Sequence, residues 1–347
     1  MNSKTLLFIA KYPLADKGEP GVGEKNFVQH PDVERLLCGF IECHKAGSPM
    51  DASVYWIHWK PKEIAERFEQ EYNLRVSHGL IKRHLRTLGY RYRKLSKNLA
   101  TGYYPSRDQQ FKIIFTIVAI MSLQSPILSI DCKKKERLGT LYRAGKCYTQ
   151  RPIEVYDHDY EYLGEGKVIP HGIYDMQRHQ AYISIGNSHE TAGFIADNLY
   201  WWWESFGIHH YPDARTILIL CDAGGANSYR HYAFKKQMLL LAQKIGVDFV
   251  ICHYPPYSSK RPPLRWNPIE HQVFPHLHRT MQGIVLTDYP LVQKLMQKTK
   301  TATGLKVTVR INDNYYPINI KTTKEEVDFN RIQFHQHIPK LSYRIVA

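Results

Sequence analysis

The chain has 347 residues, 43% of them hydrophobic and 12% aromatic, which is a folded composition with enough apolar material for a large core and excludes a disordered tail. Its 47 Lys and Arg against 32 Asp and Glu leave a formal charge of +15, which favours a polyanionic partner, nucleic acid foremost, although a basic surface can also serve solubility alone. The six cysteines (Cys38, Cys43, Cys132, Cys147, Cys221 and Cys252) form no C-x-x-C pair, and no apolar run approaches the ~20 residues of a membrane span, so a cytoplasmic chain with reduced thiols and no membrane partner is expected.

Residues 1–55 mix Gly, Pro and charge, and read as a linker or truncated N-terminal region carrying one helix around residues 33–44. From Pro61 the pattern changes. Pro61 suits a first helical turn, Ile64 and Phe68 share a face, and Ser77 can cap a second helix that carries Leu80, Ile81, Leu85 and Leu88 and stops at Gly89. Residues 56–104 are therefore expected to form a small helix-turn-helix domain. Its basic side carries Lys82, Arg83, His84, Arg86, Arg91, Arg93, Lys94 and Lys97, with Tyr90 and Tyr92 interleaved. Such a face suits duplex DNA, while a plain helical hairpin with a solvated charged side is the competing reading.

The body, residues 105–347, opens with an apolar-faced helix at 109–123. Ile127-Leu128-Ser129-Ile130-Asp131 is a strand that ends in an acid, and residues 172–175 and 181–185 are further strands before a helix at 191–206. Residues 216–222 form a wholly apolar strand that ends in Asp222, followed by a helix at 229–244 and a strand at 247–252. Early hairpins and later strand–helix alternation predict an α/β fold, a mixed sheet flanked by helices.

Asp131 and Asp222 would share one rim of the sheet if their strands lie adjacent and parallel. A third acid, Glu270, comes from Asn267-Pro268-Ile269-Glu270-His271, where Pro268 suits a helix start. Three convergent carboxylates repel one another unless cations intervene, and hard oxygen donors suit Mg²⁺ or Mn²⁺. Two such ions ~3.5–4 Å apart support in-line phosphodiester displacement. Taken singly, each acid could be a turn or cap residue, and Asp222-Ala223-Gly224-Gly225 could equally be a phosphate-cradling or tight-turn loop.

The stretch from Asp131 to about Ile345 resembles the DDE-type insertion-sequence transposases of the ISAzo-thirteen, or Rhodopirellula-type, family. The resemblance rests on Ile130-Asp131-Cys132-Lys133-Lys134-Lys135-Glu136, on Val155-Tyr156-Asp157-His158-Asp159 and on residues 166–175. It continues through residues 221–230, His253-Tyr254-Pro255-Pro256, residues 267–271 and 303–307, with Gly47-Ser48-Pro49-Met50 and residues 107–111 upstream. It implies an RNase H-like catalytic domain, a triad at Asp131, Asp222 and Glu270, and divalent-metal DNA cleavage and strand transfer, for which two Mg²⁺ or Mn²⁺ ions are expected. It also implies double-stranded DNA partners, namely the terminal repeats and the target, and a homo-oligomer that joins two ends. This sequence departs from the family in a shorter region before Gly47, in Cys132 where Thr is common, and in Arg261-Pro262-Pro263-Leu264-Arg265, an apparent insertion before Glu270. An RNase H-like nuclease without strand transfer and an inactive DNA-binding derivative are the alternatives.

Lys133, Lys134 and Lys135 follow the first acid and could grip the DNA backbone, or form a solvated edge. Asn227, Arg230, His253 and His271 are candidates for supporting the metal site, with helix capping an equal reading for Asn227. Within Trp201-Trp202-Trp203 at least one ring is expected in the core.

Overall fold

The computed structural model describes residues 31–47, 55–93, 104–121, 124–256 and 267–347. The chain divides into two compact units, Met1–Ser96 and Lys97–Ala347.

In the first unit, helix α1 (Pro31–His44) is followed by the paired short strands β1 (Ala46–Gly47) and β2 (Tyr55–Trp56), then by α2 (Pro61–Tyr72) and α3 (His78–Thr87). Pro61 occupies the first turn of α2, the Lys60 N–H donates to Glu63 Oε2 at 2.9 Å, and Asn73 stops the helix in the left-handed region at φ 51°. Ser77 Oγ accepts from the Leu80 N–H at 3.2 Å and starts α3, and Gly89 beyond its end takes φ +83°. The helix of residues 33–44, expected within a linker, belongs to this core. Val33, Leu37, Phe40 and Ile41 pack with Ile64, Phe68, Val76 and Ile81, because none of the three helices can bury its apolar stripe alone.

The second unit runs α4 (Arg107–Ile120), β3 (Ile127–Cys132), β4 (Glu136–Leu138), β5 (Gly166–Asp175), β6 (Gln180–Gly186), α5 (Ala192–Trp202), α6 (Ile208–His210) and β7 (Thr216–Cys221). It continues with α7 (Tyr232–Ile245), β8 (Asp248–His253), α8 (Pro268–Gln272), α9 (Phe274–Thr280), α10 (Tyr289–Gln297), β9 (Lys306–Asn312), β10 (Ile332–Phe334) and β11 (Ser342–Ile345). Nine strands make one mixed sheet in the order β10-β11-β8-β7-β3-β5-β6-β9, with β4 beside β5. The β3–β5–β6 meander is antiparallel, whereas β7 and β8 add parallel to β3 on its other side. The first strand of the meander thus lies in the middle, which is the RNase H-like arrangement.

Helices α5 and α7 cover one face, where Leu128, Ile130, Ile217 and Ile219 meet Ile195, Trp202, Phe234 and Met238. On the other face α4 packs over Ile127, Leu218 and Leu220, and α8 to α10 pack over Ile183 and Ile185. Trp202 and Trp203 are both buried, and Trp201 lies under the Arg310 guanidinium at 4.5 Å.

Gln110 pins α4 to the sheet. Fully buried, its Nε2 donates to the carbonyls of His253 (3.0 Å) and Leu341 (3.3 Å) and to Ser342 Oγ (2.9 Å), and its Oε1 accepts from that hydroxyl. Gln110→Ala leaves these groups short of a donor out of water and is expected to cost about 2 kcal/mol. Urea denaturation with an unchanged midpoint would refute that role.

Candidate active site

The first two acids are brought together by strand pairing. Ile130 pairs with Cys221 in the parallel β3–β7 ladder, so Asp131 and Asp222 follow side by side at the C-terminal rim. Both are largely shielded from solvent. Glu270 arrives from α8, which lies on the sheet because β5 has no side chain in its way. Gly172, the partner of Asp131 in the β3–β5 ladder, would place a Cβ 2.6 Å from Ile269 Cδ1 and 3.0 Å from the Phe274 ring.

Side-chain ties hold the three elements in register. Asn267, at the start of α8, donates from Nδ2 to Asp131 Oδ2 at 2.7 Å and accepts from Ser129 Oγ at 3.2 Å, and Ser129 Oγ in turn accepts from the Ile269 N–H at 3.3 Å. Ser129 lies two residues before Asp131 and therefore shares its side of the strand. The Cys132 N–H donates to Asp131 Oδ1 at 2.7 Å. Asn227 donates to Asp222 Oδ1 at 3.3 Å from the turn after β7.

His253, completely buried, is held neutral, its pKa pushed down to about 4 by burial. Its Nδ1 lies 3.0 Å from the Asp222 carbonyl and its Nε2 3.0 Å from the Tyr343 hydroxyl. The neutral ring satisfies both when Nδ1–H donates to that carbonyl and Nε2 accepts from the hydroxyl. His253 therefore fixes the backbone of the second acid. His271 follows Glu270 on α8 and is half-buried, and Arg230 is exposed and sets its Nε 3.0 Å from the Tyr229 hydroxyl.

The electrostatics reflect crowding. Burial foremost, then the charges of Asp222 and Glu270 and a hydrogen bond shared with Glu270, push the Asp131 carboxyl up to about 8. Asp222 is raised chiefly by burial, against donors from Asn227 and the Gly224 backbone, with the charges of Glu270 and Glu190 adding to the rise. The donor set fits a hard divalent cation, since carboxylates this crowded keep a proton that a cation can replace. Among the described residues no three His, Cys, Asp or Glu side chains are closed around a single point, so Asp131, Asp222 and Glu270 converge without forming a finished cage.

The basic residues separate into different environments. Lys134 is exposed, and Lys135 is partly exposed and pairs with Glu190 at 3.0 Å. Lys133 is 7% exposed, and its ammonium pairs with Glu136, which also binds Arg143 Nη1 at 2.5 Å. Lys133 thus braces the loop after β3 from inside, a position phosphate does not reach without breaking that pair. In the first unit Lys82, Arg83, Arg86, Arg91 and Arg93 are exposed, whereas Lys94 and Lys97 lie outside the described residues. His84, expected on the outward side, is instead half-buried with Nε2 3.1 Å from Cys38 Sγ on α1. Arg91 spends part of its guanidinium on the end of α3, donating to the Arg86 carbonyl at 2.6 Å.

Ser129, Asn267, Tyr343 and Glu190 are site residues that sequence reasoning passed over. Only Ser129 (period 2 with Asp131) and Asn267 (beside Pro268) carried a local signal.

Residues 37–347 match the family model described as the Rhodopirellula transposase DDE domain. No curated protein matches the chain in sequence. Among solved structures the chain is similar to the Mos1 transposase paired-end complex with left transposon end, at 16% identity over 81% of this chain and 73% of that one, with a TM-score of 0.41. It is similar to the Mos1 strand transfer complex at 16% identity, 80% and 72% coverage and a TM-score of 0.41. For the mariner Mos1 paired end complex with Mg the figures are 15%, 82% and 74%, and 0.41.

Proposed function

The chain belongs to the Rhodopirellula transposase DDE-domain family, and on that premise we propose that it cuts and joins DNA at the ends of its own element, with Asp131, Asp222 and Glu270 as the catalytic and metal-binding triad. What supports the triad most directly is that acids from three separate elements meet at one rim, where burial first and then the charges of Asp222 and Glu270 push the Asp131 carboxyl far above the usual carboxylate range. A structural role for three mutually repelling, half-buried carboxylates would be costly without a compensating cation.

Mg²⁺ or Mn²⁺, two ions when fully loaded, would activate the attacking oxygen and stabilise the leaving one. The protein's own part is positioning. Asn267 aims Asp131 and ties it to the helix bearing Glu270, Asn227 aims Asp222, and buried neutral His253 fixes the Asp222 backbone without adding a charge. Water is the nucleophile for cutting and a DNA 3′-hydroxyl for joining. Lys134 and Lys135 lie next to the triad in sequence and suit phosphate contact there.

The α2–α3 pair is assigned to duplex binding as a helix-turn-helix, through Lys82, Arg83, Arg86, Arg91 and Arg93, with Lys94 included from sequence alone. Joining two ends calls for more than one copy of the chain, and element DNA places the activity in the cytoplasm. No helix among the described residues is long and apolar enough to cross a membrane.

The test is cleavage and strand transfer on labelled DNA carrying the flanking element ends in Mg²⁺, comparing the protein with an Asp222→Ala variant that still binds DNA. Metal-dependent joining present in the first and lost in the second is expected. Equal residual activity in both rejects the triad, cutting without joining favours a nuclease, and binding without cutting in either favours an inactive derivative.

A further inference from the structure

A fourth carboxylate stands at the rim and has no place in the triad. Glu190 ends the β6–α5 loop, immediately before the α5 cap Thr191, whose Oγ1 accepts from the Phe194 N–H at 3.2 Å. That loop is anchored to the segment after β9. Asn187 Nδ2 donates to Asp313 Oδ1 at 3.2 Å, Ser188 Oγ to the Asn314 carbonyl at 3.2 Å, and the Tyr316 N–H to Ser188 Oγ at 3.1 Å. Glu190 is therefore a fixed post. Its Oε2 lies 3.0 Å from the Lys135 ammonium, and its Oε1 would lie 3.4 Å from a Cβ on Gly225, in the turn behind Asp222. Its charge adds to the rise that burial gives both the Cys132 thiol and the Asp222 carboxyl.

Lys135 is the movable member of the pair, a long side chain 41% exposed on the loop after β3, while Glu190 is 21% exposed. An ion pair whose lysine stands open to solvent is weakened by screening, so a DNA phosphate that reaches this rim can compete for the lysine.

We propose that Lys135–Glu190 is a latch on the DNA path, closed in the free protein and opened when a backbone phosphate takes Lys135 from Glu190. Glu190 is then a positioning residue: it holds Lys135 beside the catalytic rim and sets the cost of transferring it to DNA. This rests on the reading that DNA is bound at this rim.

The test is a double-mutant cycle on affinity for element-end DNA, measured by fluorescence anisotropy in EDTA so that no turnover occurs. Glu190→Gln, nearly isosteric, releases Lys135 and is expected to tighten binding about two- to five-fold. Lys135→Ala is expected to weaken binding and lower the slope of log affinity against log salt by about one. In the Lys135→Ala background the Glu190→Gln gain is expected to fall to less than about half, because there is no lysine left to release. An equal gain in both backgrounds would mean simple removal of a negative charge and overturns the latch, as does no gain in either. If Lys135→Ala lacks the parent's melting transition, Lys135→Met keeps the aliphatic stem and completes the cycle. An additive cycle in a protein whose cleavage still depends on Asp222 overturns the latch alone, whereas a parent chain that binds no element-end DNA overturns both.

Discussion

Asp131→Asn is expected to abolish DNA cleavage, by about 10³-fold or more, while making the metal-free protein more stable. The two effects have one cause. Burial and the neighbouring acids push the Asp131 carboxyl up to about 8, whereas the same group in the unfolded chain titrates near ~3.9. Between those values the folded protein holds a proton that the unfolded chain has released, so stability falls as pH rises through that window. An amide at position 131 does not titrate; its oxygen can still accept from the Cys132 N–H, and its nitrogen is accommodated when the Asn267 amide turns over to present Oδ1 in place of Nδ2. The advantage of the variant should therefore be negligible near pH 4 and largest near pH 8, a rise of a few degrees, roughly, in melting temperature. Divalent cations, which bind the folded parent through the carboxylate, should close the gap by stabilising the parent alone. Calorimetry in EDTA at pH 5 and pH 8, then with Mg²⁺, reads all three effects. A variant less stable than the parent at pH 8 would show that Asp131 is a structural acid and not one held under strain for chemistry.

How far the sequence foretold this site depends on where the information lay. β3 and β7 were legible because strands buried on both faces are continuous apolar runs, and Asp131 and Asp222 stand where those runs stop. Glu270 was legible through Pro268 and the family resemblance, since a five-residue helix has too little periodicity to announce itself. The outer strands β9, β10 and β11 were not foreseen, because β10 and β11 are only three and four residues long and β9, at the other edge, is half-exposed. Helix α1 was seen as a helix but not as core, since its partners Ile64, Phe68 and Ile81 lie on other elements. Lys133 read as a solvent lysine because its counter-charge Glu136 becomes a buried partner only once the loop folds, and Glu190 is joined to Lys135 across 55 residues that no local pattern spans.

The tie that no motif advertised should have the next largest effect. Asn267→Ala removes the donor 2.7 Å from Asp131 Oδ2 and the acceptor for Ser129 Oγ in one step. Asp131 then loses its only side-chain amide donor among the described residues, and of the side-chain hydrogen bonds between β3 and α8 only the Ser129–Ile269 contact remains beside the apolar packing of Ile269. Groups that orient ligands in this way typically contribute 10- to 100-fold to activity or metal affinity, so cleavage should fall by about that factor while affinity for element-end DNA stays within about two-fold. Ser129→Ala should cost less, since Asn267 still reaches Asp131 without it. Single-turnover cleavage at saturating DNA across a Mg²⁺ titration separates the outcomes. A right-shifted metal dependence in Asn267→Ala, partly recovered at high Mg²⁺, is the expected signature of a misaimed carboxylate, and an unchanged rate at every concentration would mean that strand pairing and the apolar packing of α8 hold the three acids without it.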